Sequence, residues 1–108
     1  MTAGTTYTVT VGAGGSGANQ AGTNGSASSF STITSAGGGC GASRGNPFSG
    51  GQNGGSGGGA DHDQTTSVGS GNTPSVSPSQ GSNGGQGYNS GNASLNFGGV
   101  CAGVANAV

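Results

Sequence analysis

Twelve residues of Leu, Ile, Val and Phe are all that this chain of 108 offers for a hydrophobic interior. That share lies well below the apolar content of an ordinary globular domain. Burying such a side chain stabilises by about 1.5–3 kcal/mol. A dozen of them fall far short of the conformational entropy lost when the backbone is ordered. A conventional core is therefore excluded, and a helix bundle or coiled coil with it. A transmembrane helix is excluded too, because no apolar run approaches the ~18 residues required. The chain is instead rich in small polar residues: Gly, Ser, Thr and Asn make up 67 positions, 29 of them Gly. Whatever holds it together acts through the backbone.

Charge removes further classes. Arg44 is the only Lys or Arg, and the net charge is −1. Nucleic-acid binding needs a basic surface to neutralise phosphates, so no nucleic-acid partner is expected. Intrinsic disorder usually couples low hydropathy to high net charge, and here charged residues are 3% of the chain. Copies are kept apart by hydration alone, which favours self-association or residence on a larger assembly. Residues 1–11 show neither a basic n-region nor an apolar h-region, so no secretory signal is expected there.

The first eleven residues contain the clearest strand. Thr5-Thr6-Tyr7-Thr8-Val9-Thr10-Val11 alternates with period two, placing Tyr7, Val9 and Val11 on one face and the threonines on the other. Residues 28–35 read as a second strand, with Phe30 and Thr32 on one face and Ile33 on the other. The two are expected to pair antiparallel across the glycine-rich turn region 12–27. Tyr7, Val9, Val11 and Phe30, with Ile33 as a further candidate, would form a small apolar cluster. No helix or strand period follows Ala36.

A repeat follows instead. Gly51-Gln52-Asn53-Gly54-Gly55-Ser56-Gly57 matches Gly81-Ser82-Asn83-Gly84-Gly85-Gln86-Gly87 at an offset of thirty residues, and Gly22-Thr23-Asn24-Gly25-Ser26 is a partial third copy. Within each full copy glycine recurs every third residue: Gly51, Gly54, Gly57 and Gly81, Gly84, Gly87. Period three matches the extended left-handed polyproline II helix, which has no internal hydrogen bonds. Its N–H and C=O groups pair with neighbours or water, and glycine lets neighbours approach. The expected fold is mostly irregular and β, with short N-terminal strands followed by packed polyglycine or polyproline II-type helices and no α-helix. It reads as one glycine-rich domain over 1–108, hairpin-like in 5–35 and extended-helical in 36–108. Collagen is excluded by the absence of a strict Gly-X-Y run and by only three prolines.

Chemistry-bearing motifs are sparse. Gly12-Ala13-Gly14-Gly15-Ser16-Gly17 has the form of a dinucleotide fingerprint. It lacks the following helix, and the next acid is Asp61 rather than one about twenty residues on. Asp61-His62-Asp63 gathers both acids and the single His. As a metal site it is short of ligands, so no metal or other cofactor is expected. It reads as a solvated loop tip whose acids can accept sugar hydroxyls. No Ser is marked as a nucleophile, and the two acids do not flank a cleft, so no catalytic residue is assigned. Asn24-Gly-Ser and Asn92-Ala-Ser fit the glycosylation pattern but are incidental in so Asn- and Ser-rich a chain. Cys40 and Cys101 either close a disulfide loop of about sixty residues, for which loop entropy gives ~4 kcal/mol, or are small thiols among glycines. The Thr6, Thr8, Thr10 and Thr32, Thr34 spacing would suit an ice-binding face, though ordinary strand composition accounts for it.

The order of segments resembles the glycine-rich domain of bacteriophage tail fibres, distal tail-fibre adhesins and related virion proteins. The residues that carry it are Thr6–Gly15, Ser29–Gly39, Gly45-Asn46-Pro47, Gly54–Gly59 and Gly71–Gly85. The resemblance spans roughly 5–87 and implies polyglycine-type helices packed as a sandwich, with exposed loops on host surface receptors. It implies a non-enzymatic protein of the virion tail fibre or an extracellular fibre. Its partners would be copies of itself or other fibre proteins, and a host-surface saccharide or outer-membrane protein, without membrane insertion. The competing reading from another class is a self-assembling fibril subunit.

Recognition would fall to segments that interrupt the glycine period. These are Ala60–Thr73, with Asp61, His62 and Asp63, and Gly87–Phe97, with Tyr88, Asn89 and Asn92. Tyr offers a large amphipathic contact, and Asn offers both donors and acceptors. Phe48 is a further candidate. Phe97, with Leu95, Val100 and Val104, would rather seal the end of the fold or a subunit interface.

Overall fold

The computed structural model describes residues 2–17, 22–43, 50–61 and 67–87. Among these there is no helix. Three short strands, β1 (Val9–Thr10), β2 (Ser28–Phe30) and β3 (Ile33–Ser35), form one antiparallel sheet in the order β1-β2-β3. The segment 28–35 is thus not one strand but a hairpin. It turns at Ser31–Thr32, where Ser31 adopts a positive φ of 55°, the backbone state a two-residue hairpin loop demands. Only Val9 and Thr10 of the 5–11 run pair as strand, and the Thr8 carbonyl accepts the Ser31 N–H at 2.9 Å just beyond them.

The hairpin changes which side chains share a face. Val9 lies opposite Phe30, and Phe30 opposite Ile33. Ile33 therefore sits beside Phe30, on the same face rather than the opposite one. Thr10, Ser29 and Thr34 form the matching row on the other face. Tyr7 stacks on Phe30, ring centroids 5.6 Å apart, and its hydroxyl accepts the Thr2 N–H at 2.9 Å. The expected apolar cluster closes no further. Val9, Val11 and Ile33 are 62%, 83% and 69% exposed, because no second layer of the described residues covers this face.

The interior lies elsewhere and is made of glycine. The buried positions are Gly54, Gly55, Gly57, Gly58, Gly59, Ala60, Gly69 and Gly87, and Ala60 is the one buried apolar side chain among the described residues. Backbone hydrogen bonds join the segments at three-residue intervals. Gly51 and Gly54 donate to Ser67 and Ser70; Gln52 and Gly55 donate to Cys40 and Gly37; Gly57 and Ala60 donate to Ser82 and Gly85. Gly39 and Ala42 donate to Ser56 and Gly59, and Thr23 and Ser26 donate to Ser16 and Ala13. Donors three apart along the chain thus meet acceptors three apart on one neighbour, while adjacent donors turn to different neighbours.

Pairs that climb together, such as 51 to 67 and 54 to 70, mark parallel neighbours. Pairs that run oppositely, such as 52 to 40 and 55 to 37, mark antiparallel ones. Two positions show why the side chain must be hydrogen. A Cβ on Gly58 would land on the Cys40 carbonyl, and one on Gly84 would land on the Gly58 carbonyl. Neighbouring backbones have closed to a separation that leaves no room for a methyl.

Candidate functional site

With glycine inside, the larger side chains are left on the surface, and the loop 72–80 arranges several of them. Asn72 has a φ of 50°, a left-handed state that Asn tolerates better than most residues. Its N–H donates to the Gly55 carbonyl, and Thr73 N–H to that of Gly54, at 2.9 and 3.0 Å. The base of the loop is so fixed to the glycine interior. The Asn72 side chain then spans the loop: Oδ1 accepts the N–H groups of Val76 at 3.1 Å and Gln80 at 3.3 Å, and Nδ2 donates to the Val76 carbonyl at 3.0 Å.

Gln80 completes the frame. Its Nε2 donates to the Pro74 carbonyl at 3.1 Å, and its Oε1 accepts the Ala36 N–H at 2.6 Å. Residues 73–79 stay exposed, and both prolyl bonds, Thr73–Pro74 and Ser77–Pro78, are cis.

This loop stands against β3 and leaves a cleft of about 440 Å³ between them, lined by Ile33, Thr34, Ser35 and Val76–Gln80. A shallower depression of about 270 Å³ covers the sheet face over Val9, Val11, Phe30 and Ile33. Ile33 and Ser35 border both. The two form one surface, aliphatic at Val9, Val11, Ile33 and Val76 and edged by serine and threonine. Asp61, the single charged residue among the described ones, does not line it. Its described residues offer apolar contact, hydroxyls and strand backbone.

The residues singled out from sequence fall differently. Asp61 is half-buried where the run Gly57–Ala60 ends. His62, Asp63, Phe48, Tyr88, Asn89, Asn92, Leu95, Phe97 and Cys101 lie outside the described residues. Cys40 is a half-buried free thiol whose N–H donates to Asn24 Oδ1 at 2.8 Å. Of the triplet glycines, Gly54, Gly57 and Gly87 are buried and Gly51, Gly81 and Gly84 half-buried. The two repeats meet directly: Gly57 N–H donates to the Ser82 carbonyl at 2.9 Å.

Sequence reasoning passed over the surface formed by β3 and the loop. The available signal was Asn72-Thr73-Pro74, with Pro78 four residues on, the turn chemistry of a shaped loop.

No curated protein and no solved structure matches this chain. A family model described as a glycine-rich domain matches residues 1–107, and with nearly the whole length so covered, the chain belongs to that glycine-rich domain family.

Proposed function

We propose that this chain is a non-enzymatic structural and receptor-binding module of the tail-fibre kind, built on packed polyglycine II-type helices. One observation carries the reading: hydrogen bonds recur at three-residue intervals through a glycine interior, while a braced loop and exposed aliphatic side chains face outward. Three residues per turn is the period of that helix, and each turn sends N–H groups toward different neighbours. A scaffold cohesive through its backbone leaves larger side chains on the surface for recognition, which suits an adhesin on a virion or extracellular fibre. The resemblance of its segment order to tail-fibre domains supports the same assignment.

Adhesion tests it. Fluorescently labelled protein applied to a panel of bacterial strains is expected to label a subset of them. Tyr88→Ala, the Asp61/Asp63→Ala double variant and Val76→Asp, each checked for folding by melting, then locate the contact surface. An absence of labelling on every strain, together with no virion genes beside its own, overturns the reading. The fibril-subunit alternative draws on the uncharged sheet, whose outer strands β1 and β3 are both edges. Filaments of the purified protein under the electron microscope would favour it.

A further inference from the structure

The edge of β3 points its free backbone into the cleft. In the sheet, Ser31 N–H is turned toward β1 and reaches the Thr8 carbonyl, so Ser29 faces β1 as well, and Ser28 and Phe30 face β3. Phe30 opposite Ile33 and Ser28 opposite Ser35 are therefore the hydrogen-bonded pairs between β2 and β3. Thr34, opposite Ser29, turns its N–H and C=O away from β2. Two residues on, Ala36 has the same outward parity, and its N–H is taken by Gln80 Oε1. At Ala36 the loop thus supplies the acceptor that a fourth strand would supply. At Thr34 no described residue supplies either partner.

We infer that the cleft between β3 and the loop 76–80 takes an uncharged, extended polypeptide segment, which pairs with the Thr34 N–H and C=O as a fourth strand. Strand addition of this kind draws affinity from main-chain hydrogen bonds and specificity from pockets for alternate side chains. The pocket here is apolar: Ile33 and Val76, 69% and 44% exposed, and Pro78 line a space of about 440 Å³. Charge decides the occupant. Among the described residues no acidic, basic or His side chain lines the cleft, so a charged residue on the incoming strand would be desolvated without a partner among them. The inference rests on the receptor-binding reading only in making this segment part of the receptor; the cleft and its open edge stand without it.

The test uses a panel of capped, uncharged heptapeptides headed by Thr-Thr-Tyr-Thr-Val-Thr-Val, the alternating sequence of residues 5–11. Binding is followed by NMR together with amide exchange. The expected result is binding by panel members, slowed exchange of the Thr34 amide, and no binding by the same peptides N-methylated at alternate residues. Thr34→Pro removes the outward N–H and leaves the β2 pairs intact, and it should weaken binding about fivefold or more, the worth of one main-chain bond. Val76→Asp, which leaves the strand untouched, should weaken it similarly, and Thr34→Val should not. No binding across the panel, or binding indifferent to both Thr34→Pro and Val76→Asp, overturns the inference. Peptide binding and cell adhesion both retained in folded Thr34→Pro and in Val76→Asp overturn it while leaving the receptor reading in place. Peptide binding by a protein that adheres to no cell does the reverse.

Discussion

Gln80 Oε1 accepts the Ala36 N–H at 2.6 Å across forty-four residues of sequence. This bond joins the end of the hairpin to the loop that faces it, in a molecule where Ala60 is the one buried apolar side chain among the described residues. It also fixes the width of the cleft beside β3, because the same Gln80 amide holds the Pro74 carbonyl. Polar side chains here take the place that core side chains hold in ordinary folds: they set the distance between elements.

Gln80→Ala should accordingly destabilise more than a surface substitution does. It strands a part-buried Ala36 N–H and frees the Pro74 carbonyl, which together cost about 1–3 kcal/mol. Gln80→Glu keeps the acceptor and loses the donor, so its loss should be the smaller. Denaturant melts of the two variants check the order.

Asn72 combines a backbone and a side-chain role that substitution can separate. Asn72→Gly keeps the left-handed φ and deletes three loop-spanning hydrogen bonds. Asn72→Ala deletes the same bonds and adds roughly 1–2 kcal/mol of left-handed strain. Alanine should therefore be the worse substitution. Equal melting temperatures for the two would show that the loop relaxes its backbone when the side chain is gone.

The exposed aliphatic residues reverse the usual rule for hydrophobic positions. Ile33→Thr and Val11→Thr change side chains that are mostly exposed, so each should change stability by no more than about 0.5 kcal/mol. The same changes should reduce any binding across the sheet face. Losses of several kcal/mol on melting would mean that a second layer covers the sheet.

The sequence was legible where composition left one solution. Too few aliphatic residues pointed away from a hydrophobic core, and the buried positions among the described residues are glycines and Ala60. The alternating run at 5–11 marked β1, although only Val9 and Thr10 pair. The turn at Ser31–Thr32 was hidden because neither residue is Gly, Asn or Pro, and a positive φ at Ser31 is fixed by pairing on both sides rather than by local preference. The β3 cleft was hidden for a different reason. It depends on Gln80 meeting Ala36 and on Asn72 bracing Val76, and neither contact leaves a period in the chain. Asp61-His62-Asp63 drew notice by being the chain's densest group of ionisable side chains, which is a statement about composition and not about position.

Glycine spacing gives the sharpest test of the scaffold. A Cβ on Gly84 would land on the Gly58 carbonyl, and one on Gly54 would press on the Gly39 nitrogen and lie 2.7 Å from the Gly37 carbonyl. Backbone atoms bonded to third segments cannot swing aside as a flexible side chain can: Gly58 N–H is held by Gln52, and Gly39 N–H by Ser56. Gly54→Val and Gly84→Val should each cost at least about 3 kcal/mol, the upper end for overpacked interiors. Ser56→Val and Gln86→Val place their Cβ where one already stands and should cost well under half as much. Gly14→Ala supplies the opposite control. Nothing lies within 4 Å of its Cβ position, so the lost freedom of the unfolded chain should make it neutral or stabilising by about 0.4–1 kcal/mol. Urea melts of the five variants decide the matter. Equal losses at positions 54, 56, 84 and 86 would mean that the glycines mark a loose chain and not a lattice of close backbone contacts.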